Sequence, residues 1–231
     1  MKHLSLLLVS LLLLGACNQK KDKSEESKSA PDSEITSEKE MSVLEEIAYA
    51  NGYENWSEVD SISYTFNAQN GDNISSRSWE WKPKTGEVTM KSQDTTLTYN
   101  SNNFEEEITF ADRGFINDKY WLLFPFHLVW DDNFDYEVAE QVEAPISGKL
   151  MQEIAIMYKD EAGYTPGDTY HIYVDDNQMI REWTFTPNGS DEPRLATTWE
   201  NYEDFNGINI AKMHDTKEGN FKIYFTDISV N

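Results

Sequence analysis

The sequence FINDKYWLLFPFHLVW, residues 115–130, is the most apolar run after the first sixteen residues, and it does not alternate between apolar and polar side chains. A continuous run of this kind predicts an element buried against a sheet. Asp118 is placed to cap a helix that begins at Lys119, and Pro125 is expected to end or kink that helix. The run is too short and too charged to span a membrane.

Short runs with a period of two lie on both sides of this segment. Before it, apolar residues alternate with polar ones in Ile62-Tyr64-Phe66, Trp79-Trp81, Val88-Met90, Leu97-Tyr99 and Ile108-Phe110. After it, strands are expected at about 151–159, 169–175, 179–186, 195–202, 207–213 and 220–230. Such runs, separated by turn residues, are typical of an antiparallel meander. The predicted fold class is mainly β (α+β): a single, strongly curved antiparallel sheet, or half-barrel, with an N-terminal helix and a central helical lid.

The N-terminal helix is predicted from a change of period near residue 41. Met41, Leu44, Ile47 and Ala48 follow helical spacing. Ser42 and Glu45 have the spacing of a capping box, and Gly52 is a plausible stop. No linker interrupts residues 41–231, which are therefore predicted to form one half-barrel domain.

The start of the chain predicts its destination. Residues 1–16 have a basic start and a leucine-rich run, which are typical of a secretory signal peptide. The end of this run, Leu14-Gly15-Ala16-Cys17, resembles the lipobox of bacterial lipoproteins, in which the cysteine carries the lipid. The resemblance implies that Cys17, the single cysteine of the chain, is the lipidation site and carries palmitate or a similar acyl chain. The alternative is a plain signal peptide with a chance cysteine.

Residues 17–40 are predicted to be a lipidated cysteine and a flexible tether. The polar composition after Cys17 cannot bury enough surface to offset the entropy of ordering. Asn18 is not the Asp that, by resemblance to known sorting rules, retains lipoproteins in an inner membrane. The predicted location is therefore the cell envelope, lipid-anchored, in the outer membrane.

The charge of the chain excludes some partners. Its formal net charge is −23, which repels nucleic-acid phosphates and anionic lipid surfaces. No nucleic-acid partner is expected, and the N-terminal lipid is expected to supply the contact with the membrane.

The sequence offers little for catalysis. His127, His171 and His214 are isolated and lack metal-ligand spacing. Acidic pairs such as Asp131-Asp132 and Asp175-Asp176 have the residue type for glycoside hydrolysis, but 42 acidic residues produce such pairs by composition. No catalytic residue, metal site or cofactor is predicted.

The aromatic residues are the stronger signal for a binding site. Trp79, Trp81, Trp183 and Phe185 share the apolar side of their predicted strands, and Arg181 has the parity of Trp183. Trp121, Phe124 and Phe126 lie in the segment expected to cover them. One interpretation is a cavity for an apolar ligand, with these aromatic residues as walls and lid and Arg181 near a headgroup. The other is an ordinary aromatic core.

The order of elements also supports a resemblance. Asn51-Gly52-Tyr53-Glu54-Asn55-Trp56, the run NDKYWLLFP at 117–125 and the run GYTPGDTY at 163–170 resemble an uncharacterised lipoprotein family of Bacteroidota. The overall arrangement is more distantly similar to the LolA/LolB-like half-barrel lipoprotein carriers. This resemblance implies binding of a fatty acid, lipid or lipidated protein and supplies no catalytic residues. The lipid anchor, which soluble carriers lack, favours a membrane-fixed binder over a shuttle.

Three functions are therefore kept open. The first is non-catalytic binding of a lipid or lipidated partner in the concave face of the sheet. The second is a structural or interaction lipoprotein whose core is filled by its own side chains. The third is an envelope enzyme that acts on glycans.

The lipobox leads to a prediction about Cys17. The variant Cys17→Ser lacks the acceptor sulfur, so the protein should leave the membrane fraction or remain unprocessed. Fractionation and labelling with palmitate measure this. Continued incorporation of palmitate by a membrane-bound, cleaved variant would contradict the assignment.

Overall fold

Two antiparallel sheets and two α-helices are formed by residues 40–92, 95–103, 109–159 and 165–231, which are the residues that this computed structural model describes. The helices are α1 (Val43–Ala50) and α2 (Thr109–Trp130), and a 3₁₀ turn covers Tyr53–Glu58. The strands are β1 (Ile62–Asn70), β2 (Asn73–Lys82), β3 (Glu87–Lys91), β4 (Thr96–Asn100), β5 (Phe134–Glu143), β6 (Leu150–Tyr158), β7 (Thr169–Val174), β8 (Ile180–Thr186), β9 (Leu195–Thr198), β10 (Glu200–Phe205), β11 (Ile208–Asp215) and β12 (Phe221–Val230). The predictions for residues 1–39, including Cys17, lie outside the described residues.

The strands form two sheets, so the prediction of a single curved sheet is wrong. One sheet has the order β10-β11-β12-β1-β2-β3-β4 and the other β5-β6-β7-β8-β9. The strand expected over 195–202 is divided at Trp199, whose N–H donates to the carbonyl of Arg181 (2.7 Å). Asn201 then adopts a left-handed φ of 56°. The chain thereby leaves β8 and β9 and continues in the other sheet as β10.

Helix α1 occupies the position that the sequence pattern indicates. The Ser42 hydroxyl accepts from the Glu45 N–H (3.3 Å), and the Glu45 carboxylate accepts from the Ser42 N–H (2.7 Å). This reciprocal capping satisfies two donors at the start of the helix. Gly52 follows with φ of 91°, and a Cβ there would lie 1.9 Å from the Gly207 carbonyl oxygen. Only glycine fits this close approach between the helix end and the β10–β11 turn.

Helix α2 is longer than predicted and begins before the quoted segment. Phe110 lies in its first turn and is 76% exposed, so the strand prediction is wrong at this residue, whereas Ile108 lies outside the described residues. Two apolar residues at spacing two are too few to distinguish a strand from the start of a helix. The expected effect of Pro125 is present as a kink, since Leu123 has non-helical angles (φ −127°, ψ 28°). Proline removes one helical hydrogen bond and crowds the preceding turn.

Asp118 lies inside α2, so its predicted role as a helix cap is wrong. Its side chain is fully buried and binds β2. Arg77 donates from Nε to Oδ2 (2.5 Å) and from Nη2 to Oδ1 (2.6 Å), and Trp79 donates from Nε1 to Oδ2 (2.7 Å). A buried carboxylate requires such compensation. These three bonds fix the position of α2 against the seven-stranded sheet.

The two sheets contact opposite parts of α2. Phe115 packs on Trp79 and Trp81 of β2. Phe124 packs on Tyr170 of β7 and Trp183 of β8. The core is therefore continuous from one sheet through α2 to the other.

Breaking the buried pair should destabilise the fold. Asp118→Asn keeps the side-chain volume but leaves the Arg77 charge uncompensated. Because Arg77 is 33% exposed, we expect the free energy of unfolding to fall by about 2–3 kcal/mol, which is less than the ~3–5 kcal/mol lost when a fully buried pair is broken. Urea unfolding measures this loss. The control is Asp132→Asn at an exposed position, which should lower the free energy of unfolding by about 0.5 kcal/mol or less. Equal unfolding midpoints for the two variants would contradict the role of Asp118.

Candidate functional site

A cleft of about 630 Å³ lies between α2 and the two sheets. Its size is within the roughly 300–1,000 Å³ typical of small-molecule sites. The cleft exists because side chains become smaller along the inner face of the β1–β2 hairpin. The successive cross-strand pairs on this face are Ile62–Trp81, Tyr64–Trp79, Phe66–Arg77 and Ala68–Ser75. The large pairs fill the core, and the small pair at the turn end leaves space beside α2.

One face of α2 forms a wall of the cleft. Its residues recur at spacings of three and four, which places them on one side of a helix: Arg113, Ile116, Asn117, Tyr120 and Trp121. The chemistry changes along this face. Trp121 is buried at the inner end, whereas Arg113 and Asn117 are exposed. The exposed end marks the mouth of the cleft.

The sheets supply the remaining apolar walls. Alternate residues of a strand share one face, and three strands contribute such pairs: Phe66 and Ala68 from β1, Phe221 and Ile223 from β12, and Trp183 and Phe185 from β8. Tyr170 of β7 stacks on Trp183 at 5.2 Å between ring centroids. Leu195 of β9 completes the wall of the five-stranded sheet.

Some of the side chains predicted to contact a ligand line the cleft and others do not. Trp121, Trp183 and Phe185 line it. Four others are not among the lining residues: Trp79, Trp81, Phe124 and Phe126. Every tryptophan and phenylalanine side chain named here except Phe185 is buried, so position along the core and not burial separates the two groups. Phe124 and Phe126 leave the cleft because each helical residue is rotated by about 100° from the one before it. Binding by the lining residues stays a prediction.

Arg181 does not line this cleft, and its role beside a headgroup stays a prediction. Its Nε donates to Asp175 Oδ2 (2.7 Å). The pairing of β7 with β8 shifts here, since Tyr173 pairs with Glu182 and Val174 with Ile180. This bulge interrupts the alternation on which the prediction depends. Two arginines that the sequence pattern did not single out, Arg77 and Arg113, do line the cleft. In α2, the spacing of four residues from Arg113 to Asn117 and on to Trp121 was the available signal.

Behind the cleft, a polar cluster connects the end of α2 to β6. Asp131 Oδ2 accepts from the hydroxyls of Tyr120 (2.6 Å) and Tyr158 (2.7 Å), and His127 Nδ1 lies 3.2 Å from both carboxylate oxygens. Burial acts to raise the pKa of Asp131, but the bonds from His127, Tyr120 and Tyr158 hold it below its usual value. Burial lowers the pKa of His127 to about 4. The imidazole is therefore neutral at pH 7, and the cluster stabilises the cleft wall.

His214 is a second buried histidine, on β11. It packs against Trp121 and Trp199, with centroid distances of 5.2 and 4.4 Å. Burial lowers the pKa of His214 to about 3. It too is neutral at pH 7 and acts as part of the aromatic core.

No three His, Cys, Asp or Glu side chains among the described residues approach closely enough to hold a metal ion. None of the helices in the described part of the chain is both long and apolar enough to cross a membrane.

Among known proteins, the chain shows similarity to solved structures alone. No protein-family model and no curated protein matches it. It is similar to a LolA superfamily protein from Nitrosomonas europaea (7% identity, 82% of this chain and 92% of that chain, TM-score 0.47). It is also similar to a putative outer membrane lipoprotein-sorting protein domain from Vibrio parahaemolyticus (10% identity, 82% of this chain and 91% of that chain, TM-score 0.46). A third similar structure is a DUF1329 family protein from Desulfovibrio piger (8% identity, 82% of this chain and 92% of that chain, TM-score 0.46). These similarities are of overall structure at 10% identity or less, and the Bacteroidota lipoprotein family stays a prediction.

The buried histidines predict a loss of stability in acid. Both pKa values fall from 6.5 on folding, to about 4 for His127 and about 3 for His214. As the pH falls below 6.5, the unfolded chain takes up protons that the folded chain does not. The free energy of unfolding should therefore decrease by about 1.4 kcal/mol per pH unit for each histidine.

Urea unfolding at pH 7 and pH 5 measures this decrease. His214→Leu should reduce the difference between the two pH values by about half. His171→Gln, at a half-exposed histidine, is the matched control. An unchanged pH dependence in His214→Leu would show that His214 does not contribute.

Proposed function

We propose that this chain is a lipid-anchored, non-catalytic protein of the bacterial cell envelope whose cleft binds the apolar chain of a lipid or of a lipidated partner. The observation that supports the proposal most is the open cleft of about 630 Å³ between α2 and the two sheets. Aromatic and aliphatic side chains from α2 and from five strands of the two sheets converge on it. An elongated apolar ligand is the class that such walls favour.

The energetics of burial fit this ligand class. Transfer of an acyl chain from water into the cleft contributes about 0.8 kcal/mol for each buried CH₂ group. Half-buried rings such as Phe185 and Phe221 provide flat contact areas with little loss of side-chain freedom. A chain with many methylene groups can therefore bind without polar contacts to its tail.

The other two functions predict different interiors. A structural lipoprotein with a filled core would have no space beside α2, whereas the short side chains of Ala68 and Ser75 leave it open. Glycoside hydrolysis uses two carboxyl groups that flank the scissile bond, ~5–10 Å apart. Among the described residues that line the cleft, Asp168 supplies the single carboxylate. The geometry therefore favours binding over both alternatives.

Anchoring rests on the sequence alone. Cys17 is the proposed lipidation site, residues 18–40 the proposed tether, and the outer membrane the proposed location. A fixed anchor with a tether would present the cleft to lipids or lipidated proteins near the same membrane.

Ligand binding can be tested with the mature chain carrying Cys17→Ser, because this variant has no acyl group of its own to occupy the cleft. Titration with a fatty acid should give a saturable change in tryptophan fluorescence at micromolar ligand, since Trp121 and Trp183 line the cleft. Native mass spectrometry of the purified protein should show co-purified lipid. Absence of both signals would contradict the proposal.

Two neighbouring substitutions locate the binding. Ala68→Phe adds a ring on the cleft side of β1 and should weaken fatty-acid binding about tenfold or more by occupying the space of several methylene groups. Gln69→Phe adds the same ring on the opposite face of the strand and should leave the affinity unchanged. Equal affinities of the two variants would place the ligand elsewhere.

A further inference from the structure

We infer that the mouth of the cleft recognises an anionic headgroup, a carboxylate or a phosphate, through Arg113 with Arg77 beside it. This inference rests on the proposed function and specifies its ligand: an amphiphile with a negatively charged head. Arg113 and Arg77 take the role beside the headgroup that the sequence pattern assigned to Arg181, because Arg181 is bound by Asp175 outside the cleft.

Arg113 is the cation available to a ligand. It is exposed, it lines the cleft, and it lies on the same α2 face as Asn117 and Trp121. Among the described residues, no carboxylate or hydrogen-bond acceptor pairs with its guanidinium. An unpaired guanidinium at the end of an apolar cleft presents several donors in a geometry that matches carboxylate and phosphate oxygens.

Arg77 supplies a second, fixed positive group. Asp118 holds its Nε and Nη2, which leaves the other N–H groups of the guanidinium unused by this pair. The guanidinium lies over Gly114, where an added Cβ would be 3.7 Å from Arg77 Cζ. It also lies 5.2 Å from the centre of the Phe66 ring, another residue of the cleft. Arg77 is thus immobilised next to the turn of α2 that carries Arg113.

The surrounding groups are compatible with an anion. Ser75, Ser76 and Asn117 add neutral hydroxyl and amide groups to the mouth. Asp118 is neutralised by Arg77, and Asp168 accepts from the Asn188 N–H (2.9 Å). In a chain of net charge −23, Arg113 is the cation of the mouth that no described carboxylate pairs with, and Arg77, whose charge Asp118 compensates, adds N–H donors beside it. Together they would bind an anion through one unpaired charge and several hydrogen bonds.

Three ligands of twelve carbons each and with different heads test the inference: laurate, dodecyl phosphate and dodecanol. They are titrated by calorimetry into the mature chain carrying Cys17→Ser, alone and combined with Arg113→Gln or Arg181→Gln. We expect the better anionic ligand to bind about tenfold tighter than dodecanol. Arg113→Gln should remove this advantage and leave dodecanol binding unchanged, whereas Arg181→Gln should change neither.

The relative affinities of the three ligands distinguish the kinds of headgroup and the two ways in which the inference can fail. A larger Arg113-dependent advantage for dodecyl phosphate identifies a phosphate headgroup, and one for laurate identifies a carboxylate. Equal affinities for the three ligands, or an anion preference that survives Arg113→Gln, would overturn the headgroup site while leaving the apolar cleft in place. No binding of any ligand would instead refute the proposed function itself.

Discussion

The bond between α2 and β2 through Asp118 is the interaction on which the rest of the structure depends. Arg77 and Trp79 both donate to this carboxylate, so one buried charge fixes the helix against the sheet at the level of the cleft. A buried ion pair contributes little net stability but opposes any other register, because a shifted helix would leave a charge uncompensated. The same bond holds Arg77 at the cleft mouth. Fold and binding site therefore share one polar contact.

The cleft follows from a gradient in side-chain size. Near α1, Trp81 and Trp130 pack together with Trp56 and leave no space. Toward the β1–β2 turn, Ala68 and Ser75 face each other and cannot reach α2. Protein interiors are closely packed, so a region lined by short side chains beside a fixed helix either collapses or stays open to solvent and ligands. Here the Asp118 contact prevents α2 from moving to close it.

Charge is distributed so that the interior and the surface have different roles. The two buried histidines are neutral and serve packing, and Asp131 is compensated by tyrosine hydroxyls and His127. The acidic residues give the chain its net charge of −23, which opposes nonspecific binding to anionic surfaces. In the proposed site, Arg113 and Arg77 would provide selectivity at one place, where an apolar tail and an anionic head would be bound together.

The sequence alone determined the local elements, whereas the tertiary structure decided how they combine. A period of two identified most strands of both meanders, and the Ser42–Glu45 spacing located α1, because periodicity and capping depend on neighbours along the chain. It missed β5, whose side chains are mostly exposed, so that no buried face marks it. The passage at Trp199 from one sheet to the other is also a tertiary feature, since alternation does not specify which strand is the partner.

The aromatic content indicated a large apolar interior, but only the fold separated Trp121, Trp183 and Phe185 in the cleft from Trp79, Trp81, Phe124 and Phe126 in the core. The arginines show the same division: a bulge turned Arg181 away, and the packing of α2 on β2 brought Arg113 and Arg77 to one mouth, because residues distant in sequence meet only when the chain has folded.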